Sequence, residues 1–276
     1  MITVEIMGGL GNQLFQIFNL ISYSLTHKIP FFFEIKGVVR EDRPFYWNNF
    51  LISLRPFLKN VYDKGKLPIY REQNFHYNKI QPFEEINQPF KFFGYFQSYK
   101  YFQEKEEDIF KFIKLKESKA QLKEYYSYDN MVSLHFRLGD YVNLQQHHPL
   151  MPIQYFEEAL QKLIKDTNKD NWKVLYFCED KDIHPVNLNI SILQKHCPNL
   201  SFEKINSKYS DWQQMLIMSH CQHNIIANSS FSWWGAYFNQ NKDKKVYYPS
   251  VWFGPAQGNK NTDDLFPPDW NKIIFK

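Results

Sequence analysis

Cysteine is scarce in this chain. The three present, Cys178, Cys197 and Cys221, are widely spaced with no CxxC pair, which argues against a disulfide framework and fits a reducing compartment. No run of about 18 apolar residues occurs, so a spanning helix is excluded. The opening Met1-Ile2-Thr3-Val4-Glu5-Ile6 has no basic leader followed by an apolar run, so no signal peptide is expected and the protein reads as soluble and cytoplasmic. A strong excess of one charge sign is missing too. The net +4 comes from interspersed positive and negative residues without a basic arm or stripe, and a nucleic-acid partner is set aside. His220-Cys221-Gln222-His223 lacks a second ligand pair nearby, so no zinc is expected there.

Aromatic residues, by contrast, are plentiful: 26 Phe, 18 Tyr and 7 Trp make up 18% of the chain. Most are expected to pack a core, and some could stack on sugars or bases. At 276 residues, one large or two modest domains are expected.

Strand, loop and helix alternate. Thr3 to Met7 reads as a strand, Asn12 to Lys28 as a helix with Leu14, Phe15, Phe18, Ile21 and Leu25 on one face, and Phe31 to Ile35 as a buried strand. Residues 40–100 are weakly periodic and yield no detailed reading. Glu104 to Tyr126 is predicted helical and is the expected hinge, giving domains 1–125 and 126–276. In the second half, strands are predicted at Met131–Phe136, Lys173–Cys178, Asn224–Ala227 and Lys245–Tyr248. Helices are predicted at Tyr155–Lys165, Asp211–Cys221 with Asp211 as N-cap, and, after Asn228-Ser229-Ser230, through Tyr237. The alternation implies an α/β fold with parallel sheets.

In such sheets ligands bind where strand ends feed into loops, which selects four segments. Gly8-Gly9-Leu10-Gly11 opens a helix; it suits an anion or a close backbone approach, and equally a tight structural turn. In His135-Phe136-Arg137-Leu138-Gly139-Asp140 the imidazole and guanidinium share a strand face, and Gly139 lets Asp140 turn back towards them. That trio suits a leaving diphosphate and a proton transfer, the bland alternative being an Asp–Arg pair bracing a turn. Cys178-Glu179-Asp180-Lys181-Asp182 carries Asp-x-Asp, which could hold a divalent metal or accept from a guanine edge. Asn228-Ser229-Ser230-Phe231-Ser232-Trp233-Trp234-Gly235 could cap a helix and hold phosphate, its paired tryptophans packing the helix down or stacking on a ring.

The blocks MGGLGNQLFQ at 7–16, HFRLGDYV at 135–142 and NSSFSWWGAYF at 228–238, with the acidic turn FCED at 177–180, follow one order along nearly the whole chain. Together they resemble the α-1,2-fucosyltransferase family, family eleven of the glycosyltransferases. The resemblance implies a GT-B-like fold: two Rossmann-type domains with parallel sheets facing a cleft, the acceptor side in 1–125 and the GDP-sugar side in 126–276. It implies GDP-fucose as donor, inversion at the anomeric carbon, and no essential metal or cofactor. Carried over, Arg137 binds the diphosphate, His135 and Asp140 flank it, and Gly9, Asn12 and Gln13 lie at the cleft. Asn228, Ser229, Ser230 and Phe231 lie near the donor phosphates, and Glu179 or Asp180 near the guanine. The family usually has H-x-R-R-G-D; here the second arginine is Leu138. Either donor binding differs at that point, or Leu138 lies on the buried side of the turn.

The expected activity is inverting transfer of fucose from GDP-fucose to a glycan hydroxyl, the 2-OH of galactose, with Asp140 as first-choice base and His135 as second. The expected partners are a GDP-sugar and an oligosaccharide or glycan acceptor, with homo-oligomerisation left open. Two rivals remain: a metal-dependent GT-A-type transferase built on Asp180 and Asp182, and a glycan-binding protein without turnover.

Overall fold

A computed structural model describes residues 1–35, 44–60, 67–123, 128–258 and 260–275. The chain forms two compact units, residues 1–118 with 260–267 and residues 119–259 with 268–276.

The first unit starts with β1 (Ile2–Val4), followed by α1 (Leu10–His27). Gly8 takes φ +75°, and a Cβ there would lie 2.6 Å from the Asn12 amide nitrogen, so the turn into α1 requires glycine. No side chain caps α1. Instead Gln16 pairs with both backbone groups of Met7 at 2.8 and 3.2 Å. The helix stops where Lys28 enters the left-handed region and donates its N–H to the Ser24 carbonyl. β2 (Phe33–Glu34) and β3 (Leu58–Lys59) pair in parallel. β4 (Ile69–Arg71), the short α2 (Phe83–Ile86) and β5 (Phe90–Phe93) come from the stretch without a sequence reading. They complete a parallel sheet of order β1-β5-β4. The predicted charged helix is broken into α3 (Glu106–Phe112) and α4 (Leu115–Ala120), because Lys114 adopts φ +52°. Residues 124–126 of that prediction lie outside the described residues.

The second unit is built on one all-parallel sheet. β6 (Met131–His135) leads through α5 (Ile153–Thr167) to β7 (Lys173–Phe177), α6 (Ile183–His196) and β8 (Ser201–Lys204). Then come α7 (Asp211–Met218), β9 (His223–Ile225), α8 (Ser230–Tyr237), β10 (Val246–Pro249) and β11 (Asn271–Ile273). The strand order is β11-β10-β9-β6-β7-β8. Every residue of β6 is buried, so side chains on both faces are covered, as its unbroken apolar run requires. Full burial of one such side chain, Leu134 for example, contributes about 1.5–3 kcal/mol.

One local reading is corrected and one pair of alternatives is decided. The N-cap of α7 is Ser210, not Asp211, because a capping box forms with Gln213. Trp233 and Trp234 are fully buried, with Trp233 stacked on Tyr237 at 4.7 Å, so they pack the helix rather than face a ligand. A Cβ on Gly235 would lie 2.9 Å from Met218, which explains the glycine by the close approach of α7 and α8. Lys119 is buried and donates to the carbonyls of Ser219 and Phe238, closing the ends of those two helices. Among the described residues no helix is long and apolar enough to cross a membrane.

Candidate active site

Register brings three of the four strand-end segments together. His135 at the end of β6 pairs with Phe177 on β7, and Leu134 pairs with Ile225 on β9. The segments 135–141, 178–182 and 228–232 therefore leave adjacent strand ends in the second unit. The fourth segment, Gly8 to Gln13, belongs to the first unit.

Arg137 is the centre of the cluster. Its two terminal nitrogens form ion pairs with Glu179 and Asp140, and the guanidinium lies 4.9 Å over the Tyr141 ring. Its side chain is 16% exposed, against 48% for Asp140 and 42% for Glu179. An incoming anion would therefore meet a fork held by planar partners rather than a free, mobile charge. Burial works against the ionised Glu179, but Lys181 at 2.7 Å and Arg137 outweigh it and hold that carboxyl below its usual range.

Gly139 makes the turn possible. It adopts φ +48°, and a Cβ there would sit 2.7 Å from Glu179 Oε1. Its N–H donates to the buried Asp182 carboxylate at 2.8 Å. Asp180 faces elsewhere: it pairs with Lys204 and accepts from the Ser207 hydroxyl at 2.8 Å, and these hold its carboxyl below the usual range. Asp180 and Asp182 thus have separate partners and do not converge, and no metal-ligating group of three is found among the described residues.

His135 is buried, with Nδ1 lacking a hydrogen-bond partner and the Phe231 ring centred 5.6 Å away. Burial, reinforced by the Arg137 charge, pushes its pKa down to about 3. The ring is neutral at physiological pH. Asn228 holds two loops beside the site, donating to the carbonyls of Pro149 at 2.9 Å and Trp252 at 3.3 Å. Its own carbonyl accepts from the Tyr141 hydroxyl at 3.2 Å. Ser229 caps α8 by accepting from the Phe231 N–H at 3.3 Å, leaving Ser230 and Phe231 half-buried in the first turn. A helix start of this kind favours anions.

In the first unit, Gln13 is fully buried and donates to the carbonyls of Gly8 at 3.0 Å and Pro44 at 2.9 Å. Asn12 accepts from the Gln97 amide at 2.8 Å, and Gly9 is the N-cap residue of α1. These groups brace the glycine turn. At the site considered for zinc, His220 bonds the Lys119 carbonyl and His223 accepts from the Lys245 N–H, while Cys221 is buried. Sequence reasoning overlooked Asp182 as the holder of Gly139, and Tyr141, Lys181 and Lys204 as partners of the acidic and basic groups. Tyr141, Lys181 and Asp182 stood inside quoted segments, but the bond of Asp182 to Gly139 and the pairing of Lys204 with Asp180 join segments distant in sequence.

Two units built on parallel sheets, with such a cluster at the strand ends of the second, have the architecture of a GT-B-like fold. A glycosyl transferase family 9 structure from Veillonella parvula matches with TM-score 0.50 and 13% identity, over 99% of this chain and 86% of that one. The Escherichia coli ADP-heptose LPS heptosyltransferase II matches with TM-score 0.50 and 11% identity, over 99% and 89%. The model of glycosyl transferase family 11 matches residues 1–274, and the chain belongs to that family. The Escherichia coli protein named alpha-1,2-colitosyltransferase is 26% identical over 99% of this chain and 98% of its own. A Caenorhabditis elegans galactoside 2-alpha-L-fucosyltransferase is 24% identical over 99% and 79%. The O-antigen biosynthesis glycosyltransferase WbnK of Escherichia coli is 32% identical, but the match spans only 49% of this chain and 43% of that protein. The expected GT-B-like fold is therefore present, and the GT-A alternative is overturned by the fold and by the divergence of Asp180 and Asp182.

Proposed function

We propose that this glycosyltransferase moves fucose from GDP-fucose to a glycan hydroxyl, the 2-OH of a galactose, with inversion. The observation that carries the reading is Arg137 held between Asp140 and Glu179 at the ends of β6 and β7. In this scheme the second unit binds the donor and the first the acceptor. The donor diphosphate competes for the Arg137 fork and takes further N–H groups at the start of α8. Release of Asp140 from the guanidinium lets its carboxylate take the proton of the acceptor hydroxyl. The acceptor oxygen bonds to the anomeric carbon as the bond from that carbon to phosphate breaks, and Arg137 carries the charge left on GDP. His135, held neutral with a pKa of about 3, is too weak a base for that step and is assigned to positioning. No metal or cofactor enters the scheme.

A second donor reading, colitose in place of fucose, is favoured by the match over 98% of the protein named colitosyltransferase. One assay separates the readings: GDP release from GDP-fucose, GDP-colitose and other sugar nucleotides, with and without galactosides, in EDTA. The proposal expects acceptor-dependent release from GDP-fucose that survives the chelator. Release confined to another donor overturns the fucose assignment. Absence of release from every donor leaves a glycan-binding protein.

A further inference from the structure

The first unit contains a cavity of about 280 Å³ beside the edge strand β4, among its lining residues Tyr70, Arg71, Glu72, Asn78, Gln81 and Tyr101. No part of the donor scheme uses it. Its volume lies just below the range of about 300–1,000 Å³ typical of drug-sized ligands, which fits a single small ring rather than a nucleotide.

The walls are preorganised. The Glu72 side chain crosses Gly94, where a Cβ would lie 2.3 Å from the Glu72 Cβ. Its carboxylate accepts the N–H groups of Tyr95 at 2.7 Å and Phe96 at 2.9 Å. Each carboxylate oxygen has a second acceptor site, so Glu72 is oriented without being saturated. Burial outweighs the two N–H groups and Lys260 and holds the Glu72 carboxyl above its usual range. The Tyr101 hydroxyl is fixed by the Asn78 N–H it accepts at 3.1 Å. The Arg71 guanidinium lies 4.5 Å over the Phe93 ring, which orients its fork.

The cavity therefore combines planar donors and acceptors (guanidinium, carboxylate and amides) with aromatic faces. Adjacent hydroxyls on a pyranose both donate and accept, and suit such planar groups; the C–H face of the ring suits tyrosine. Arg71 and Lys79 in the lining disfavour a cationic ligand, and the Glu72 carboxylate tempers their attraction for an anion. We propose that this cavity is a subsite for a neutral pyranose of the acceptor glycan. The assignment of the ligand to the acceptor rests on the proposed glycosyl transfer; the chemistry of the ligand does not.

The test is a titration of the isotope-labelled full chain with lactose, glucuronic acid and inorganic phosphate, following the amide resonances of Tyr95 and Phe96. It is combined with steady-state kinetics of Arg71→Ala and Gln81→Ala. The expected result is a saturable shift of both amides with lactose alone, weakened in both variants. With it comes a rise of about tenfold in KM for lactose and none in KM for GDP-fucose. Silent amides together with wild-type KM values in the variants overturn the subsite while leaving glycosyl transfer intact. Shifts produced by glucuronic acid or phosphate but not by lactose overturn the neutral-ring assignment. If the wild-type chain releases no GDP from any donor, the proposed function fails, and the titration still decides whether the cavity takes a neutral sugar.

Discussion

The carboxylate of Asp182 accepts the backbone N–H of Gly139 at 2.8 Å, tying the turn after β6 to the turn after β7. The two loops that supply Arg137 and Glu179 are thereby held together by a buried group that itself touches neither of those side chains in the hydrogen bonds described. Asp182→Ala leaves a donor without its partner and should cost about 1–3 kcal/mol. GDP affinity should fall with it. Asp182→Asn retains an acceptor oxygen and should restore most of both, read by urea unfolding and by calorimetry with GDP; equal losses in the two variants would refute the hydrogen-bond account.

Gly139→Ala tests the same turn from its other side. At φ +48° a side chain carries a left-handed penalty of about 1–2 kcal/mol, and the added carbon meets Glu179 Oε1 at 2.7 Å. The variant should be less stable and should lose most GDP release in the transfer assay. Wild-type turnover would show that the Glu179 position is irrelevant.

Much of this site was legible in sequence, for a physical reason. Parallel strands buried on both faces leave unbroken apolar runs, so β6 and β7 and the polar residues just beyond them stood out. Residues 183–196 were harder because Pro185 and two asparagines interrupt the periodicity of α6. β8 ends the sheet order and reads Ser-Phe-Glu-Lys, a partly exposed segment without an apolar run. The break at Lys114 depends on a positive φ that lysine does not announce. Ser210 and Asp211 are both good capping residues, and only the reach of Gln213 back to Ser210 decides between them. The bond from Gly139 to Asp182 follows from the register of β6 on β7, which one strand's sequence does not contain.

Leu138 replaces the family's second arginine and is partly buried against the core of the second unit. This packing favours the buried-side alternative. Leu138→Ala should lower stability by about 1–2 kcal/mol and leave GDP affinity unchanged, as measured by thermal unfolding and calorimetry. A weaker affinity without a stability change would place Leu138 in donor recognition.

For His135, the folded pKa of about 3 lies below an unfolded value of about 6.5. Between these values the unfolded chain binds the extra proton, so stability rises with pH through the window and is lost as the pH falls through it. The imidazole resonances of His135 should not titrate between about pH 5 and 8. Acidification to about pH 4.5, inside that window, should destabilise His135→Asn less than the wild type. An imidazole that titrates near neutrality would return His135 to the list of candidate bases.

The central claim is that Arg137 receives the donor diphosphate, and GDP binding to Arg137→Ala measured by calorimetry tests it most directly. Hydrogen bonds to charged groups contribute about 1.5–3 kcal/mol, so affinity should fall by about 10- to 100-fold. Transfer should be lost in a variant that thermal unfolding shows to be folded. Unchanged GDP affinity with unchanged transfer would contradict the account.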